Sequence, residues 1–167
     1  MMVKNFNKNF LINLSLILSI FLFDRFSKIY VIYLNEENLG LQIFSSRFLN
    51  INLVWNEGIA FGLLSFNQNN LYDFLTIFIF IVILIILFLS MKSIGLKRYS
   101  LLVIFGGALG NLFDRIFYKA VPDFIDFHIG EFHWFVFNVA DIFITIGVII
   151  MILFETILNE QKKNEHI

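Results

Sequence analysis

Four apolar runs, each close to the length of a membrane crossing, constrain this chain more than any other feature. The most uniform runs from Phe74 to Met91, 18 consecutive uncharged residues dominated by Ile, Phe and Leu. A spanning helix needs about 20 such residues to cover roughly 30 Å of hydrocarbon, where every backbone polar group must be satisfied internally. Only 15% of the 167 residues are charged, against about 25% in an average soluble chain, so a soluble domain is excluded. The expected fold class is an all-α membrane protein: four transmembrane helices with a small β-sheet element on the outer membrane surface. It forms a single integral membrane domain over 1–167, with spans over about 10–34, 71–91, 99–118 and 135–158 and the outer β element over about 39–66.

The first run is apolar from Phe10 to Phe23, is interrupted by Asp24, Arg25, Ser27 and Lys28, and resumes from Ile29 to Leu34. Lys4 and Lys8 ahead of it give the start of a signal peptide. No small-x-small cleavage pattern follows and the apolar character returns beyond the charges, so the run reads as an uncleaved span. Lys and Arg then set the orientation, because cytoplasmic loops are enriched in them. Seven (Lys4, Lys8, Lys92, Lys97, Arg98, Lys162, Lys163) fall on one side and two (Arg47, Lys119) on the other. Both termini are expected in the cytoplasm, with the polar ends of spans one, three and four at the outer face. There, Leu49 to Trp55 alternates apolar residues with Asn50 and Asn52, the period of a half-buried strand, and Gly58 and Gly62 allow turns. The second outer connection, Lys119 to Trp134, holds the only proline, Pro122, in an extended-looking Val121-Pro122-Asp123-Phe124.

Charges at membrane depth cost roughly 2.5–3.5 kcal/mol each on insertion scales, so they face protein interiors and mark function. Asp24 and Lys28 share a helix face at i, i+4, which suits either an ion pair or a direct role. Asn111 and Arg115 have the same spacing, and Arg115 is placed to brace a carboxylate, hold lipid phosphate or snorkel to the interface. Gly106 and Gly110 form a small-xxx-small pair that admits a close neighbour, expected to be span four, which would bring Asn111 near Asn138 and Asp141.

Elimination narrows the chemistry. The chain has no Cys, which removes thiol nucleophiles and thiolate metal sites. No Ser lies in a Gly-x-Ser-x-Gly setting, and His128, His133 and His166 lack a His-Glu-x-x-His pattern. No metal and no cofactor are expected, and a net charge of −1 gives no support for nucleic-acid binding. What remains is carboxylates: Asp24, Asp114, Asp123, Asp126 and Asp141. Two that share one proton can activate water and protonate a leaving amine. Position alone favours Asp141 and leaves Asp114, Asp123 and Asp126 unranked.

Five ordered blocks resemble the bacterial lipoprotein signal peptidases (signal peptidase II), four-span aspartyl proteases of the inner membrane. They are Asp24-Arg25-Phe26-Ser27-Lys28, Asn56-Glu57-Gly58-Ile59-Ala60-Phe61-Gly62, Gly106 to Arg115, Val121-Pro122-Asp123-Phe124, and Phe137-Asn138-Val139-Ala140-Asp141. The resemblance implies that Asp123 and Asp141 are the catalytic pair. It implies too that Asn56, Asn111, Arg115 and Asn138 line the site, with Asp24 and Lys28 in support. The implied substrates are prolipoproteins bearing a diacylglyceryl group on a Cys, cut just before that Cys, with membrane lipids as the other partners and a monomer as the working unit. Pro122 stands where the family often has an aliphatic residue. A small membrane transporter or proton-conducting bundle is the alternative, but it needs polar positions in both membrane halves, and the cytoplasmic half here is almost purely apolar.

Overall fold

The computed structural model describes residues 2–58 and 68–165; Gly62, with the rest of 59–67, lies outside the described residues. Four helices, α1 (Met2–Glu37), α2 (Gln68–Lys92), α3 (Gly95–Tyr118) and α4 (Val139–Glu165), accompany four short strands. The strands β1 (Phe44–Ser45), β2 (Leu49–Asn56), β3 (Val121–Ile129) and β4 (Phe132–Phe137) form one antiparallel sheet in chain order. Each helix holds a stretch long and apolar enough to cross a membrane: Asn9–Glu37, Tyr72–Lys92, Gly95–Tyr118 and Val139–Ile157.

The helix α3 is the centre of the bundle, packed against α1, α2 and α4. Of its apolar window 56% is buried, against 11–17% for the other three, so the outer helices turn residues such as Leu22, Phe78 and Ile149 outward, as lipid-facing surfaces do. Glycines set the close approaches, though not as the spacing predicts. Gly106 and Gly110 face α1, where a Cβ on Gly106 would lie 3.1 Å from Ile20 and one on Gly110 would meet the Asp24 carboxylate. The α4 contact belongs to Gly107, one residue and about 100° further round the helix, whose added Cβ would lie 2.6 Å from the Ala140 carbonyl oxygen. Only backbone without a side chain fits there. Both approaches still bring Asn111 to the start of α4.

The fourth span begins at Val139, not near 135. Phe135–Phe137 instead complete β4, with Val136 opposite Asp126 and Phe137 opposite Ile125. The run from Phe132 to Phe137 is apolar on both faces apart from His133, so it carries no alternation to distinguish strand from span. Gly130, at φ +60°, makes the two-residue turn between β3 and β4, a conformation that favours glycine. Pro122 is tolerated in an inner strand because β4 pairs with β3 only from Ile125 onward. At position 122 the side away from β2 is an edge, where a missing N–H breaks no ladder bond.

Candidate active site

The two carboxyls implied as catalytic are joined through one residue, Asn138, whose side-chain amide bonds Asp123 and whose backbone N–H bonds Asp141. Asn138, the residue between β4 and α4, is the helix N-cap: its Oδ1 accepts from the Asp141 N–H at 3.2 Å, while Asp141 Oδ2 accepts from the Asn138 N–H at 3.1 Å. This reciprocal capping box satisfies two otherwise orphaned donors and fixes the Asp141 rotamer. The other end of the Asn138 amide, Nδ2, donates to Asp123 Oδ1 at 2.6 Å. Asp123 Oδ2 accepts from Asn56 Nδ2 at 2.8 Å, a diagonal pair across β2 and β3, since Asn56 faces Val121 and Val54 faces Asp123. The remaining oxygen of Asp141, Oδ1, accepts from Asn111 Nδ2 at 2.8 Å. Each carboxyl therefore holds two donors in fixed positions. Burial pushes the Asp123 carboxyl above its ordinary value, opposed by the Asn56 and Asn138 hydrogen bonds and reinforced by the charge of Asp141.

Behind Asn111 lies a buried ionic cluster. Lys28 Nζ donates to Asn111 Oδ1 at 2.8 Å, to Asp114 Oδ2 at 2.7 Å and to Asp24 Oδ2 at 3.0 Å, so all three ammonium protons are used. The bond to Asn111 Oδ1 decides which end of that amide points at Asp141. Arg25 spans Asp114 with both terminal nitrogens, reaching Oδ2 at 2.7 Å, and Asp24 Oδ2 at 2.8 Å. The Phe113 ring lies 4.9 Å from its guanidinium carbon. Asp24 Oδ1 also accepts from the Ala140 N–H at 3.0 Å, a carboxylate from α1 at the positive end of α4. Asp24, Lys28 and Asp114 are 0% exposed, and the two anions and two cations cancel.

Seven of the eight candidate residues thus form one network: Asp24, Lys28, Asn56, Asn111, Asp123, Asn138 and Asp141. Arg115 stands apart. A Cβ on Gly58, at φ +76°, would lie 2.7 Å from Arg115 Nη1, and the guanidinium carbon lies 5.8 Å from the Tyr72 ring centre. Among the described residues its side chain bonds neither Asp123 nor Asp141. Asp126 is separately engaged, by His133 Nδ1 at 2.8 Å and Asn50 Nδ2 at 3.3 Å. Sequence reasoning missed Arg25 and left Asp114 unranked. The signal was present: Asp24, Arg25, Lys28 and Asp114 lie inside spans with charges that sum to zero, and burial at that depth requires each to find a partner.

A family model described as signal peptidase (SPase) II matches residues 16–157. The chain belongs to the signal peptidase II family. It is accordingly a peptidase, a hydrolase, on a multi-pass membrane fold. The lipoprotein signal peptidase of Pelagibacter ubique (strain HTCC1062) is 51% identical over 158 residues, 95% of each chain. That of Aquifex aeolicus (strain VF5) is 40% identical over 84% of this chain and 83% of its own. Among solved structures, a bacterial membrane enzyme obtained by the in meso method superposes with a TM-score of 0.67 at 30% identity, covering 84% of this chain and 90% of its own. The five blocks read in the sequence as signal peptidase II markers all lie within residues 16–157.

Proposed function

We propose that this signal peptidase II family member is a membrane aspartyl endopeptidase that removes the signal peptide from diacylglyceryl-modified prolipoproteins, cutting before the lipidated Cys. Asp123 and Asp141 form the catalytic pair. The observation that carries this reading is the bridging of two carboxyls by Asn138, with two amide donors held on each. One carboxylate takes a proton from water, which attacks the scissile carbonyl, and the other gives a proton to the departing amine. The two titrate as a unit, so the roles belong to the pair. Asn56, Asn111 and Asn138 hold the carboxyls, Asp24 and Lys28 hold Asn111 and the start of α4, and Arg115 borders the site beneath Gly58.

The substrate's lipid is part of this reading. The carboxyls lie where the sheet meets α1, α3 and the start of α4, next to helix faces suited to lipid, so a peptide tethered by acyl chains reaches them from the bilayer. Purified protein should therefore cut a diacylglyceryl-modified prolipoprotein far faster than its unlipidated precursor, as read by gel shift and product mass. Equal rates would overturn the lipid requirement. Cleavage should persist in a chelator, because the proposed chemistry uses no metal; abolition by chelation would sink it. The protein works as a monomer on prolipoproteins and membrane lipids.

The site faces outward, with both termini in the cytoplasm of a bacterium whose inner membrane holds the enzyme. Since the chain has no Cys, Ser45→Cys should react with an impermeant thiol reagent outside intact cells and Ser93→Cys should not. The reverse pattern would invert the orientation.

A further inference from the structure

At the end of the bundle opposite the carboxylates, a cavity of about 420 Å³ opens between α1, α2 and α3, within the usual size range of ligand clefts. Its body is apolar, with Leu14, Leu87 and Leu102 among its walls, and its polar lining includes Asn9, Asn13 and Arg98. Asn9 and Asn13 are i, i+4 and present two amides on one face of α1. Asn9 opens the apolar window of that helix, Lys92 ends that of α2, and Gly95 opens that of α3. The polar mouth therefore lies at the membrane boundary, and the apolar body runs toward hydrocarbon.

Charge selects the occupant. Two cations beside Arg98 are already engaged: Lys97 pairs with Glu155 at 2.5 Å, and the Lys92 ammonium sits 4.4 Å from the Phe88 ring centre. Arg98 has no carboxylate partner among the described residues. Its Nε donates to the Ser93 carbonyl at 2.7 Å, which fixes the guanidinium at the turn between α2 and α3 and leaves both terminal amino groups for another acceptor. A guanidinium presents those groups as a fork that matches phosphate oxygens, and basic pockets between membrane helices suit anionic headgroups.

We infer that this cavity is a binding site for an anionic phospholipid, separate from the peptidase site. The phosphate rests on Arg98, the glycerol and headgroup hydroxyls meet the Asn9 and Asn13 amides, and an acyl chain fills the channel between Leu14, Leu87 and Leu102. Apolar walls and a mouth at the membrane boundary assign the site to a lipid and not to free phosphate.

The test is native mass spectrometry of the full-length protein in mild detergent, incubated with an equal mixture of phosphatidylglycerol and phosphatidylethanolamine. Wild type should retain phosphatidylglycerol with a preference of about tenfold, because the ethanolamine ammonium offsets the phosphate charge facing Arg98 and only glycerol offers hydroxyls to the Asn9 and Asn13 amides, a difference about the size of one charge-assisted contact. Arg98→Gln should erase the preference, Leu14→Trp should lower retention of both lipids by filling the cavity, and Lys92→Gln should match wild type. Should Arg98→Gln not fold, Asn13→Leu reads the headgroup contact at the same mouth through a severalfold loss of preference. Excess inorganic phosphate should leave the lipid bound. Equal retention of the two lipids by wild type, an unchanged preference in both Arg98→Gln and Asn13→Leu, or displacement by inorganic phosphate would overturn the site.

Discussion

Asp123→Asn and Asp141→Asn should each lower cleavage of a lipidated precursor by about 10³-fold or more, because each removes a proton donor or acceptor from the reaction. Shape is nearly conserved. The Asn side chain at 141 retains an oxygen for the Asn138 N–H or the Asn111 amide, and that at 123 retains one for Asn56 or Asn138. Folded yield and melting temperature should therefore change little. Groups that act as one unit are non-additive, so the double variant should be no worse than either single. Asp126→Asn is the matched control. Its carboxylate is tied to His133 and Asn50, and cleavage should stay within a few-fold of wild type, measured as initial rate. Loss in Asp126→Asn with activity in Asp123→Asn would reassign the pair.

Lys28→Met should cost about 3–5 kcal/mol of stability, the range for removing one partner of a buried ion pair. Asp24 and Asp114, both 0% exposed, would be left with Arg25 as their only cation. The same change frees Asn111 to rotate its amide, so cleavage should fall even at temperatures where the protein remains folded. Asp24→Asn combined with Lys28→Met should be less damaging than the sum of the singles, since the two share one interaction. Thermal unfolding in detergent, followed by Trp55 and Trp134 fluorescence, reads the stability. A loss below about 1 kcal/mol would mean the cluster behaves like an exposed pair.

The four spans were legible because lipid demands long apolar runs, and the first outer strand because Leu49 to Trp55 alternates. The hairpin strand Phe132–Phe137 was not, since it is apolar on both faces and merges with the next helix. The Asp24–Lys28 pairing follows from helix period alone. Its closure through Arg25 and Asp114 needs α1 and α3 in register, which residues 89 positions apart in the chain do not announce. The Asn138–Asp141 spacing is that of a capping box, yet only the fold places Asp123 on the free end of the Asn138 amide. Gly106 and Gly110 marked a packing face correctly and its partner wrongly, because small residues permit an approach without naming the neighbour.

The most direct measurement is the pH dependence of kcat/KM for wild type on a diacylglyceryl-modified prolipoprotein. A pair that shares one proton has no base when doubly protonated and no acid when doubly ionised, so activity should fall on both sides of a maximum. Burial, with the Asp141 charge beside it, raises the Asp123 carboxyl, and the alkaline limb should accordingly lie above the range of an ordinary aspartate. A bell with that displaced alkaline limb is the expected result. Activity that keeps rising through the alkaline range, where no carboxylic acid remains to protonate the leaving amine, would contradict catalysis by the Asp123–Asp141 pair.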